Sequence, residues 1–335
     1  MKDFYIADAG KRADEARREF QSTFLVVSKQ LKPKKSGGDY LALILGDRTG
    51  TIEAKMWDNI PTYLDRFQAD DVATVKGYVN RFNGRPQIIV QTIVKTDPEK
   101  VDFGDFLPKT TKDVDEMWRQ VLGYLQQIKN PHLRALVEAF AGDEEIASRY
   151  RQAPAAKSLH HAYIGGLLEH VVSLFGLCEA ASQHYPQVDR DLLYAGAFLH
   201  DIGKIHELTY ARSFSYTTEG QLLGHMVIEL GMVAEKLRAI PDFPAELRVL
   251  LEHLLISHHG QYEFGSPKLP MCPEALLLHY LDDLDSKMES MRAQFEREGE
   301  NGGPWTGYNP SLARPLLNAK KYVAGARGKA EAGAE

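Results

Sequence analysis

Phe198-Leu199-His200-Asp201-Ile202-Gly203-Lys204 decides how the rest of this 335-residue chain is read. It closes an apolar run (Leu192, Leu193, Ala195, Gly196, Leu199) with helical spacing and sets an imidazole beside a carboxylate at the helix end. A His-Asp pair alone is commonplace. Here, however, ligand-type residues flank it on both sides: His170 in Leu167-Leu168-Glu169-His170-Val171-Val172 upstream, and His225, His258-His259 and Asp282 downstream. Imidazole and carboxylate together suit a first-row divalent ion such as Mn²⁺, Fe²⁺ or Zn²⁺. Each candidate lies in an apolar helix or at its end. Asp282 follows Leu276, Leu277, Leu278 and Leu281, a costly place for a carboxylate without a partner. We expect His170, His200, Asp201 and Asp282 to hold an ion, and Asp283 and Asp285 to face solvent. His160, His161 and His253 read as supporting or structural.

Working outward, the remainder of this half reads as helix. Val114, Met117, Trp118, Val121, Leu122, Leu125 and Ile128 keep the three-four spacing of one buried face, and Leu133, Leu136, Val137 and Phe140 repeat it after Asn130-Pro131. Further helices are expected near residues 160–184, 189–202, 221–239, 244–257 and 273–297. Apart from a short hairpin between Glu207 and Glu219 no strand pattern survives, so residues 113–323 are expected to be an all-α domain. The Gly/Ala-rich tail, 324–335, is expected to be disordered.

Before residue 96 the period is two. Strands are expected at Phe20–Lys29, Tyr40–Leu45, Thr51–Trp57, Val72–Val79 and Gln87–Val94, with a helix at Ile60–Phe67 and a hairpin turn at Asn83-Gly84. Five strands with one helix between the third and fourth is the order of an OB-fold, a small barrel that binds oligonucleotides on its face. This domain spans 1–95, and 96–112 is a linker. With Ile52, Ala54, Met56, Val75 and Val79 inside the barrel, Lys55, Trp57, Lys76 and Tyr78 share an outer face near Arg81, Phe82 and Arg85. Aromatic platforms among cations suit single-stranded nucleic acid.

Composition agrees with this division. Net charge is −6, yet residues 1–95 hold 16 Lys+Arg against 12 Asp+Glu, leaving the rest at −10. A basic module beside an acidic one suits a polyanion captor joined to a cation holder. Two cysteines, Cys178 and Cys272, are too few for a disulfide scaffold. With no secretory signal and no apolar run of membrane-spanning length, a cytoplasmic location and no membrane partner are expected.

The series His…His-Asp…Asp on successive helices resembles the HD superfamily of metal-dependent phosphohydrolases. The order of an OB-fold before an HD domain, with Leu45-Gly46-Asp47-Arg48-Thr49-Gly50, Leu199-His200-Asp201-Ile202-Gly203-Lys204, Ser257-His258-His259-Gly260 and Phe264-Gly265-Ser266-Pro267-Lys268, resembles the YhaM family of 3′→5′ exoribonucleases. The resemblance covers roughly residues 20 to 295. It implies a Mn²⁺-dependent enzyme, with Fe²⁺, Co²⁺ or Zn²⁺ open on the donor set. Such an enzyme trims single-stranded RNA and single-stranded DNA to mononucleotides. It also implies Ser266 and Lys268 as substrate contacts. His225, His258 and His259 could complete a second ion, the two-metal arrangement of in-line displacement at phosphorus. Lys204 is either a catalytic cation toward phosphate or a helix C-terminal charge. Self-association as a homo-oligomer is left open. The rival readings are a cyclic-dinucleotide phosphodiesterase of the HD-GYP type, whose Gly-Tyr-Pro signature this chain lacks, and a nucleic-acid-binding protein without catalysis.

Overall fold

Alternating apolar residues from Phe20 onward close into a barrel in the computed structural model, which describes residues 4–15, 17–34, 37–97, 101, 103–157, 161–210, 214–298 and 303–324. After a one-turn helix α1 (Ala9–Arg12) come strands β1 (Glu19–Pro33), β2 (Asp39–Asp47) and β3 (Gly50–Met56). Helix α2 (Ile60–Tyr63) and strands β4 (Val72–Phe82) and β5 (Arg85–Lys95) follow. The strands close in the order β1-β2-β3-β5-β4, antiparallel except where β3 meets β5. The chain is therefore a five-stranded OB-fold barrel followed by a helical domain. Asn83 and Gly84, both at positive φ, make the tight turn between β4 and β5. Phe24, Leu41, Leu45, Met56 and Ile88 fill the barrel with no appreciable exposure, each worth ~1.5–3 kcal/mol of burial.

The lead-in ahead of β1, residues 4–15, joins the barrel core. Phe4, Ile6 and Ala9 are buried in the barrel core, Phe4 with its ring 4.6 Å from that of Phe20, and the Ile6 amide donates to Asp47 at 2.9 Å. Three buried residues over six positions are too short a stretch to show a period.

By contact the chain divides into two units, Met1–Thr111 with Thr209–Ser215, and the remainder. The second contains α3 (Val114–Leu125), α4 (Pro131–Ala141), α5 (Glu144–Gln152), α6 (Gly166–His184), α7 (Arg190–Leu199), α8 (Lys204–Glu207), α9 (Thr218–Leu223), α10 (His225–Leu237), α11 (Ala245–Ser257) and α12 (Pro273–Glu298). Asp113, Asn130, Asp143 and Asp189 cap α3, α4, α5 and α7, each side chain accepting two backbone N–H groups. Such caps stabilise by ~1 kcal/mol apiece.

Three expectations need correction. The helix expected from residue 160 begins at Gly166, and His160 lies outside the described residues. The single helix expected at 221–239 is two, broken at Gly224, whose φ of +72° a side chain would strain. The second half is also not purely helical. Besides the short hairpin β6 (Leu208–Thr209) and β7 (Ser215–Tyr216) it carries an unexpected one, β8 (Trp305–Asn309) and β9 (Arg314–Leu317). Only Asn309 and Leu316 of that second hairpin are buried, so it presents almost no alternating pattern. Of the tail expected to be disordered, 324–335, Ala324 is helical and residues 325–335 lie outside those described.

Candidate metal centre and nucleic-acid face

Five segments of the helical unit deliver donors to one place. His170 comes from the second turn of α6, His200 and Asp201 from the end of α7, and His225 from the start of α10. His258 and His259 follow α11 directly, and Asp282 lies in α12. His170 Nε2 is 3.2 Å from Asp282 Oδ1 and 3.3 Å from His200 Nε2, and His200 Nε2 is 3.4 Å from Asp201 Oδ2. His225, His258 and His259 form a second group whose donor atoms lie within 4.8 Å of one another. Gly203 lets the two groups meet: a Cβ there would sit 2.2 Å from the His225 carbonyl oxygen.

Asp201 joins the groups. Its Oδ2 accepts from Lys204 Nζ at 2.7 Å, which leaves Oδ1 facing His225 Nε2 at 3.7 Å and His258 Nε2 at 4.0 Å. All three of these atoms are buried and none has a hydrogen-bond partner. Orphaned polar atoms are rare in a protein interior, because each costs ~1–3 kcal/mol. Two nitrogens and a carboxylate oxygen, too far apart to bond one another, are what a divalent cation would satisfy; the donor set fits such an ion. These residues, with Lys204, line an open cavity of about 550 Å³.

The ring orientations are fixed from behind. The distal nitrogens of His200, His258 and His259 meet the carbonyls of Ala197, Leu255 and Phe264. His225 Nδ1 donates to Glu207 Oε1 at 3.1 Å. His170 Nδ1 donates to Asp285 Oδ2 at 2.7 Å. Asp285 is therefore buried, against the expectation that it faces solvent, and it also takes Ser173 Oγ and His161 Nε2 as partners. It stands one helical turn past Asp282, a spacing that could have been read as a supporting carboxylate. Neither Asp285 nor Glu207 was singled out from sequence. Asparagine at 285 is expected to weaken metal affinity by about 10–100-fold, with activity recovered at saturating ion. A metal titration followed by rate would check this; an unchanged affinity would show that Asp285 does not orient His170.

Protonation follows from these neighbours. Burial disfavours charge on His170, but the hydrogen bonds and charges of Asp282 and Asp285 outweigh it and raise the imidazole to about 10. Burial, reinforced by the nearby His259 and His200, pushes His258 well below its usual value. His258 is thus neutral and ready to ligate at neutral pH, whereas metal-free His170 is protonated. Loading an ion on His170 Nε2 at about pH 7.5 should therefore release about one proton, so affinity rises with pH. Calorimetry in two buffers of different ionisation enthalpy reads that proton directly. Identical heats in both would contradict it.

Two expected substrate contacts are not in this cavity. Ser266 is buried and donates its hydroxyl to the Ile256 carbonyl at 3.0 Å, and Lys268 is exposed elsewhere. Their position next to the His258-His259 turn in sequence did not translate into side chains pointing at it.

On the barrel, Lys55 of β3, Ile89 of β5 and Tyr78 of β4 lie in register across the outer face. The Lys55 ammonium is 4.7 Å from the Phe82 ring centroid and 5.7 Å from those of Trp57 and Tyr40. Trp57 stays at the surface, stacked on Tyr40 with centroids 4.7 Å apart. Tyr40, the first residue of the expected second strand, was missed as a member of this face. Lys76 and Arg81 are on the outside but engaged with Glu19 (3.2 Å) and Asp14 (2.9 and 3.1 Å), and Arg85 is exposed. The aromatic cluster around Lys55 is thus the more available part.

An OB-fold nucleic acid binding domain is matched by residues 25–96 and an HD domain by residues 167–287. The architecture is that of a nucleic-acid-binding barrel joined to a metal-dependent phosphohydrolase. The chain is 40% identical over 287 residues to the 3′-5′ exoribonuclease YhaM of Bacillus velezensis, covering 84% of this chain and 90% of that protein. To the 3′-5′ exoribonuclease YhaM of Bacillus subtilis it is 37% identical over 301 residues, 88% of this chain and 91% of the relative. The chain belongs to the YhaM family of 3′-5′ exoribonucleases.

Proposed function

We propose that this protein is a divalent-metal-dependent hydrolase that removes nucleoside monophosphates from the 3′ end of single-stranded RNA. We further propose that it acts on single-stranded DNA and that Mn²⁺ is its ion. The observation that carries this reading is the convergence of Asp201 Oδ1, His225 Nε2 and His258 Nε2, buried and without partners, at the cavity. His170, His200, Asp201 and Asp282 would hold one ion, and His225, His258 and His259 a second. Lewis acidity is what such ions supply when bound, acidifying a water and neutralising charge that gathers on the phosphoryl oxygens.

The chain's own groups do the rest. Burial opposes charge on Asp201, yet Lys204 and His200 hold it ionised well below the usual carboxylate range. Lys204 keeps its proton for the same reason and adds a fixed positive charge to the cavity wall. Asp285 and Glu207 take Nδ1 of His170 and His225, so Nε2 is the nitrogen of each ring that would ligate, on His170 once its proton has left. The barrel face around Lys55 and Trp57 holds upstream bases by stacking.

The test is a time course on 5′-labelled single-stranded RNA with Mn²⁺, Mg²⁺ or EDTA. A ladder shortening from the 3′ end with Mn²⁺, and none with EDTA, is expected. Linearisation of a cyclic dinucleotide without an RNA ladder would favour the cyclic-dinucleotide alternative instead.

A further inference from the structure

The cavity that holds the candidate metal donors also has a wall that metal binding does not use. Three lysines line it. Lys204 is paired with Asp201 at 2.7 Å and Lys287 with Asp283 at 2.6 Å. Among the described residues Lys157 has no carboxylate partner; its ammonium lies 5.6 Å from the centroid of the Tyr216 ring. Tyr216 is 43% exposed and its side chain makes no hydrogen bond among the described residues. Tyr216 thus presents a solvent-facing ring beside an ammonium inside a cavity otherwise lined by Asp201, Glu207, Asp282 and Asp283. Phe264 lines the same cavity, but the cation facing a ring there is Lys157 and the ring it faces is that of Tyr216.

We propose that Lys157 and Tyr216 form the subsite for the strand's 3′-terminal nucleotide, Tyr216 stacking on the base and Lys157 pairing with backbone phosphate. The subsite rests on the exoribonuclease reading above and supplies what that reading needs. An ion cluster recognises phosphorus but cannot tell a strand end from any other diester. A flat ring beside the cluster gives every base a sequence-tolerant platform, and a free cation gives the backbone a direction.

The experiment compares intact protein with Tyr216→Ala, Tyr216→Phe and Lys157→Ala. The substrates are a single-stranded ribo-oligonucleotide and the same strand with an abasic 3′-terminal nucleotide. Hydrolysis of bis(4-nitrophenyl) phosphate by the intact protein is the control for the diesterase itself. Tyr216→Ala should raise KM about tenfold on the ordinary strand and less than about twofold on the abasic one, because the stacked base is already missing. Tyr216→Phe keeps the ring and should stay within about twofold of the intact protein on both. Lys157→Ala should weaken both strands and flatten the log–log salt slope by ~0.7. Equal losses for Tyr216→Ala on both strands, or no loss on either, would overturn the subsite, as would an unchanged salt slope for Lys157→Ala. If the intact protein cleaves neither RNA nor the chromogenic diester, the exoribonuclease reading falls first and takes the subsite with it.

Discussion

Replacing Asp201 by Asn is expected to abolish hydrolysis, by about 10³-fold or more, while the protein remains folded. The asymmetry of this carboxylate is the reason. One oxygen is bonded to Lys204 at 2.7 Å; the other points without a hydrogen bond at His225 and His258. Asn is isosteric, so the packing between α7 and α10 survives. It carries no charge, however, so the site loses the anion that, with the neighbouring imidazoles, would hold a divalent ion. Lys204 would then keep its ammonium beside a neutral amide at the wall of an open cavity, where water can reach it. Circular dichroism and thermal unfolding should report an intact helical unit, and the labelled-RNA time course should report no ladder. The acid dependence carries the same signature. Asp201 is depressed in the folded protein, so its stabilising pair is present at neutral pH and lost only as pH falls through that depressed value. In the Asn variant this acid-labile component should be missing. Full activity with ample metal would remove Asp201 from the site.

The helical core was legible, and the candidate donors stood out, because both follow strong local rules. Leu133, Leu136, Val137 and Phe140 have helical period and are fully buried; Ile52, Ala54 and Met56 have period two and line the barrel. Likewise, a carboxylate and imidazoles in apolar helices stand out because burial would otherwise be costly. What was not legible depends on three-dimensional neighbours. Asp285 looks from sequence like any acid on a solvated turn, and only the arrival of His170 and His161 from other elements gives it a role. Lys76 and Arg81 look like open cations, and only the return of the lead-in and the start of β1 supplies Asp14 and Glu19. Tyr40 was read as a strand residue alone, since its ring partner Trp57 is seventeen positions away. The β8–β9 hairpin was missed because most of it stays exposed.

Capture of long strands should depend on the barrel in a way that hydrolysis of very short ones does not. Outside residues 1–95 the chain carries an excess of ten negative charges, so away from bound ions it repels a polyanion. The barrel offers the opposite: Lys55 over three aromatic rings, with Trp57 and Phe82 exposed. A strand held there would raise its own effective concentration at the cavity, whereas a dinucleotide, with no nucleotides beyond the scissile bond to bind elsewhere, would gain nothing. Replacing Lys55, Trp57 and Phe82 together by Ala removes the platform. Tyr40 is left in place because it also packs against the barrel core. At ~1–3 kcal/mol per lost stack, the apparent KM for a long strand should rise about 30-fold or more, with the dinucleotide rate changed by less than about twofold. The missing Lys55 should flatten the salt dependence by ~0.7 in log–log slope for each phosphate it contacted. Steady-state rates on both substrates at several salt concentrations measure all three quantities at once. Equal losses on long and short substrates would mean that the barrel supports the fold of the enzyme and not its grip on the strand. In that event the grip would have to come from the cavity wall, and Lys157 with Tyr216 would be the first place to look.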